Sequence, residues 1–213
     1  MIIDVFRAFS CEPILFYLGA SEILLEADIP RCLGMRNEAV LVGEQDGIPI
    51  PGFDISNSPI EALRKGRAFF NGRRVVHRTT AGVTGALAAM EKSEEVLLAS
   101  FLNARATAEY IREKAPDTLS IVAMGTRAIE TSPEDEFCAE YIESLIRGKP
   151  YNHLDAMREI LEHESARKFL CGDTSYLPAE DPAICLQQNL FHIAIRAQKQ
   201  DGLIRAVPIP IQP

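Results

Sequence analysis

The chain has 213 residues, enough to bury one substantial core and to form a single domain over 1–213. Its 22 Lys and Arg against 30 Asp and Glu leave a formal charge of -8, which offers no basic surface for nucleic acid, and no run of like charges makes a tail or a membrane-surface arm. Five cysteines, Cys11, Cys32, Cys138, Cys171 and Cys185, form an odd set without CxxC spacing, so neither a zinc site nor a disulfide framework is indicated; with no signal-like start and no stretch of ~20 apolar residues, a cytoplasmic protein is expected.

Short apolar runs alternate with amphipathic stretches along the first two thirds. Strands are predicted at 1–5 (MIIDV), 21–27 (SEILLEA), 39–44 (AVLVGE), 73–78 (RRVVHR), 94–100 (EEVLLAS) and 118–124 (TLSIVAM). Most are apolar on both faces, as strands covered by helices are. Helices are predicted between them at 12–19, 60–67, 83–92 and 104–114. From Pro133 the pattern turns helical: PEDEFCAEYIESLIRG sets Phe137, Tyr141, Ile142 and Leu145 on one face, and HLDAMREILEHESARKFL follows. GLIRAVPIPIQP gives one last strand, ended by its prolines. The expected fold is α/β: a mostly parallel sheet covered by helices on both faces, with a mainly helical C-terminal part.

Polar residues gather where these strands end. Asp4 follows the first strand, Glu44 closes the third, Thr79 and Thr80 follow the fourth, Ser100 closes the fifth and Met124-Gly125 the sixth. In open parallel sheets ligands bind beyond the carboxyl ends of strands. Asp4 can hold Mg²⁺ or activate water, and Arg7 can fork onto a phosphate or sulfonate. In HRTTAGVTGAL the hydroxyls of Thr79 and Thr80, with Gly82 at a helix start, make an anion site. Ser100 and Asn103 offer a second such start, although Asn103 alone reads as an N-cap. Ser132, Pro133, Glu134 and Asp135 form a well-made helix start, and the acidic pair could equally hold Mg²⁺. In FDISNSP, Ser58 and Glu61 read as a capping box, which leaves Asp54 and Asn57 unexplained. His77 lies one step inside its strand and reads as a packed or surface histidine. A Walker loop, a GxGxxG fingerprint, a cysteine-dependent phosphatase loop and the paired aspartates of haloacid dehalogenases are all absent.

Taken in order, IDVFRAFS, LVGEQDG, GFDISNSP, RTTAGVTG, SFLNA and PEDEFCAEYI resemble the 2-phosphosulfolactate phosphatase family, the ComB-like proteins of coenzyme M biosynthesis. The resemblance covers roughly residues 2–145, with weaker similarity in CGDTSYLPAEDPAICLQQN. It implies an α/β fold and Mg²⁺-dependent hydrolysis of a phosphate monoester on a small sulfonated acid. On that basis Asp4 with Glu44 or Asp135 is expected to hold Mg²⁺. Thr79, Thr80, Gly82, Ser100 and Asn103 are expected to bind the substrate, with Arg7 on phosphate or sulfonate. Asp54 is expected to orient or deprotonate the attacking water and Asn57 to position it. Two departures from the pattern are Ala81, in place of an asparagine, and a start inside the first strand where the family has a short leading segment. A non-catalytic binder of phosphorylated or sulfonated acids is the alternative; a nucleotide-dependent oxidoreductase is disfavoured by the missing fingerprint. Pairing with a second copy is left open.

Overall fold

The computed structural model describes residues 1–172 and 174–212; Asp173, in the weakly similar stretch, and Pro213, the end of the expected domain, lie outside them. Among the described residues nine strands form one sheet: β1 (Ile2–Ile3), β2 (Glu22–Leu25), β3 (Val40–Gln45), β4 (Ile48–Pro49), β5 (Arg74–Arg78), β6 (Val96–Ala99), β7 (Val122–Ala123), β8 (Ile193–Gln200) and β9 (Leu203–Pro210). Their spatial order is β4-β3-β5-β2-β9-β8-β6-β1-β7. The expected mostly parallel sheet is corrected. Two parallel blocks, β3-β5-β2 and β6-β1-β7, are joined through an antiparallel β8–β9 hairpin, and β4 adds an antiparallel edge.

The hairpin has a local cause. Asp201 and Gly202 turn with positive φ at both residues, 51° and 77°, the two-residue turn whose twist matches that of the strands it joins. β9 also runs through Pro208 and Pro210 rather than ending before them. Only Ala206 and Arg205 of β9 pair with β2, so the prolines fall where no bond to β2 is lost.

The helices are α1 (Ala8–Tyr17), α2 (Ile29–Gly34), α3 (Pro59–Lys65), α4 (Arg67–Phe70), α5 (Gly82–Met90), α6 (Ala104–Lys114), α7 (Pro133–Arg147), α8 (His153–Glu162), α9 (Glu164–Leu170) and α10 (Glu180–Cys185). Successive residues of a strand face opposite sides, and β1 shows it: Ile2 packs with Phe9, Leu15 and Val83, while Ile3 packs with Ala104, Ile111, Cys138 and Ile142. Thus α1 and α5 cover one face of this block and α6 and α7 the other. The helical stretch after α7 breaks at His163, whose extended backbone and Nδ1, accepting from the Ser165 N–H, cap α9. The C-terminal part is therefore helical only through α10 and ends in the hairpin. No helix of the described residues is long and apolar enough to cross a membrane.

Candidate active site

A cleft of about 270 Å³ opens where the chain leaves β1, β3, β5 and β7, and Asp4, Arg7, Glu44, Asn57, Thr80, Glu134 and Asp135 all line it. Each carboxylate is held by a hydrogen-bond donor of the fold. Asp4 follows β1, and its Oδ1 accepts from Ala8 N–H at the start of α1, 3.1 Å. Asp135, in the first turn of α7, accepts from Val5 N–H at 2.7 Å and Gly125 N–H at 2.8 Å, tying that helix start to the ends of β1 and β7. Glu44 accepts from Thr80 N–H at 2.6 Å and from Gly47 N–H, which joins the β3–β4 turn to the loop after β5. Glu134 accepts from the Ser165 hydroxyl through Oε2, 2.6 Å.

These acids crowd one another away from water. Burial raises the pKa of Asp4 to about 6; the Ala8 N–H opposes this and the charges of Glu44 and Glu134 add to it. Asp135 is pushed well above the carboxylate range by burial and then by Asp4 and Glu134. A cation in the cleft would relieve all of them at once. Among the described residues no three His, Cys, Asp or Glu side chains stand close enough to make a ready cage for a metal ion. Mg²⁺ does not need one, because it binds through one or two carboxylates and keeps several waters for substrate oxygens to replace. The donor set of this cleft fits that ion.

Positive groups face the acids. Arg7 Nη1 donates to Asp181 Oδ2 at 2.9 Å and to the Tyr176 carbonyl at 3.2 Å, and the guanidinium lies 5.3 Å from the Phe169 ring centre. Asp181, fully buried, also accepts from the Ser58 hydroxyl and Ile60 N–H, each 2.9 Å, so one carboxylate locks Arg7 to the start of α3. Lys168 of α9 and Arg127 of the loop after β7 also line the cleft. Lys168 is exposed overall, yet partial burial of its ammonium lowers its pKa, against the pull of Glu134, Asp4 and Glu44.

Thr80 lines the cleft; Gly82 stands behind it, because a Cβ there would meet Asp4 Oδ2 and Ala8 Cβ at 2.7 Å each. Asn57 lines it with its Oδ1 3.0 Å from His77 Nε2. Other expected residues are not brought there. Asp54 is exposed beside a separate hollow, and its carboxylate accepts from Leu41 N–H at 2.8 Å, fastening the loop to β3. The Thr79 hydroxyl caps Val83 N–H at 2.8 Å. Ser100 and Asn103 are buried in a reciprocal capping box, with Asn103 Oδ1 accepting from Ser100 N–H at 3.0 Å. Sequence reasoning weighed Glu134 only as half of an acidic pair and passed over Lys168, Arg127 and Asp181. Glu134 had that pairing as its signal; the other three sit in the less patterned C-terminal half or a loop, where nothing in the sequence sets them apart.

The sequence model of the 2-phosphosulpholactate phosphatase family matches residues 1–200. Proteins called probable 2-phosphosulfolactate phosphatase are similar along most of the chain. That of Bacillus subtilis (strain 168) is 28% identical over 211 residues, 97% of this chain and 90% of its own length. That of Thermus thermophilus is 32% identical over 213 residues, 100% of this chain and 82% of its own. That of Caldicellulosiruptor saccharolyticus is 38% identical over 177 residues, 79% and 71% respectively. With five of the six ordered motifs contributing residues to one acidic cleft and a match along nearly its whole length, the chain belongs to the 2-phosphosulfolactate phosphatase family of phosphoric monoester hydrolases.

Proposed function

We propose that the chain hydrolyses 2-phosphosulfolactate to sulfolactate and phosphate in the cleft between Asp4 and Arg7, with Mg²⁺ as its metal. The observation that supports this best is the meeting of four carboxylates, Asp4, Glu44, Glu134 and Asp135, with Arg7, Lys168 and Arg127 around about 270 Å³, since a binder of anions alone has no use for the acids. Those four carboxylates would hold Mg²⁺, one or two at a time, and the ion would supply Lewis-acid charge to the phosphoryl oxygens.

The substrate carries phosphate, sulfonate and carboxylate groups, and a phosphate monoester is close to dianionic at neutral pH. Arg7, Lys168 and Arg127, which line the cleft, supply charge to bind these groups. A carboxylate of the cleft that is not holding the ion takes a proton from the attacking water. Water oxygen bonds to phosphorus, the ester P–O bond breaks, and the released alkoxide oxygen takes up a proton to give the sulfolactate hydroxyl. The residues act chiefly by alignment and charge. Arg7 is fixed rather than mobile, because Asp181 and Phe169 hold it from two sides.

Phosphate release from 2-phosphosulfolactate, phosphoglycolate and phospholactate, each with Mg²⁺ and with excess chelator, tests the reading. Metal-dependent release favouring the sulfonated acid is expected. Release from the other acids alone would keep the chemistry and discard the substrate, and no release from any would leave a binding protein.

A further inference from the structure

Glu12, His77 and Asn57 form a file of polar side chains that runs from within α1 to the cleft. Glu12 Oε1 lies 3.3 Å from His77 Nδ1, and His77 Nε2 lies 3.0 Å from Asn57 Oδ1. Glu12 and His77 are fully buried and touch no part of the cleft, whereas Asn57 lines it. A carbonyl oxygen only accepts, so the hydrogen between ring and amide belongs to His77 Nε2. Two protonation states satisfy that geometry. Either Glu12 holds a proton and donates to a bare Nδ1, or an imidazolium donates from both nitrogens. In both, Asn57 Oδ1 is turned inward to the ring.

Placing such a pair in the core is costly where packing alone is needed, because apolar residues of the same volume serve as well or better. Glu12 Oε2 even lacks a hydrogen-bond partner among the described residues, a charge state the interior resists; burial accordingly raises the Glu12 pKa. The file does something for the cleft that apolar packing does not. An unrestrained asparagine amide presents oxygen or nitrogen about equally, and an oxygen turned toward a phosphate or sulfonate repels it.

We infer that Glu12 and His77 are positioning residues that lock the Asn57 amide with its N–H donors presented to the cleft, where they bind an anionic oxygen of the substrate. The identity of that oxygen rests on the phosphatase reading above; the orientation of the amide does not.

Two measurements test this. On the unmodified protein labelled with ¹⁵N-histidine, with His77→Gln used to assign the signal, imidazole ¹⁵N shifts should show Nε2 protonated at neutral pH. A neutral ring carrying its proton on Nδ1 alone would overturn the inference, because Asn57 would then donate to the ring and turn its oxygen outward. In kinetics, Asn57→Asp keeps an oxygen for His77 but removes the donor, and kcat/KM for 2-phosphosulfolactate should fall about 10²-fold, chiefly through KM. Glu12→Leu should lower kcat/KM about 10-fold, with most of that loss recovered in Glu12→Gln, whose amide N–H can donate to Nδ1. Wild-type kcat/KM in Asn57→Asp would overturn the role of the donor. Absence of hydrolysis in the unmodified protein would instead remove the phosphatase reading, with the ring tautomer still deciding the orientation.

Discussion

Asp4 is caught between two demands. Held in place by Ala8 N–H and surrounded by Glu44 and Glu134, it is useful as an anion and uncomfortable as one, which is why burial lifts its pKa to about 6. A carboxyl whose folded pKa exceeds its unfolded value stabilises the fold fully below the unfolded pKa of 3.8, and that contribution is lost as pH rises through 6. Asp135, Glu12 and Asp181 shift in the same direction, while Glu22, lowered overall by its pairing with Arg205 and Arg74 despite burial, works the other way. Metal-free protein should therefore melt at a higher temperature at about pH 5.5 than at about pH 7.5, Asp4 alone contributing on the order of 1 kcal/mol over that interval. Asp4→Asn should flatten that dependence and raise stability at neutral pH. A melting temperature that falls steadily on acidification over this range would contradict it. Asp181→Asn exposes the opposite case, a buried Arg7 left without its counter-charge. It should cost about 3–5 kcal/mol in denaturant unfolding and raise KM, whereas an unchanged midpoint would show that Arg7 finds another partner.

At the scale of elements, the cleft keeps its shape because carboxylates, added to the apolar packing beneath, pin its chain segments to one another. Asp135 ties α7 to β1 and β7, Glu44 ties β3 to the loop after β5, and Asp181 ties Arg7 to α3. The approach of α5 to Asp4 is a close fit. Gly82→Ala would place a methyl 2.7 Å from both Asp4 Oδ2 and Ala8 Cβ, and we expect a loss of about 1–3 kcal/mol together with lower turnover. Wild-type activity and stability in that variant would mean that α5 has room to move. Much of this was legible in sequence. The strand ends at Asp4, Glu44 and Thr80 and the helix start at Asp135 announced themselves by short-range rules, since a strand, a turn and a cap are each written within a few residues. The central hairpin was less so. Asp201-Gly202 is a strong turn signal, but the prolines after it read as a stop. Their tolerance depends on which neighbour β9 pairs with, a fact no local pattern contains. The same holds for Asp54: the direction of its side chain, toward Leu41 N–H instead of the cleft, is decided by tertiary packing.

The whole molecule carries a charge of -8 and must bind an anion that is itself multiply charged. Its answer is local: Arg7, Lys168 and Arg127 line the same cleft as a set of acids whose repulsion a divalent cation would convert into attraction. Central to this account is the claim that those acids exist for a metal-assisted phosphoryl transfer. The most direct test is the initial rate of phosphate release from 2-phosphosulfolactate, measured for the unmodified protein and for Asp4→Asn, each with Mg²⁺ and with excess chelator. The account predicts turnover in the unmodified protein with Mg²⁺, its loss with chelator, and a rate at least about 100-fold lower in Asp4→Asn under the same conditions. Equal rates with and without chelator, or full activity in Asp4→Asn, would contradict it.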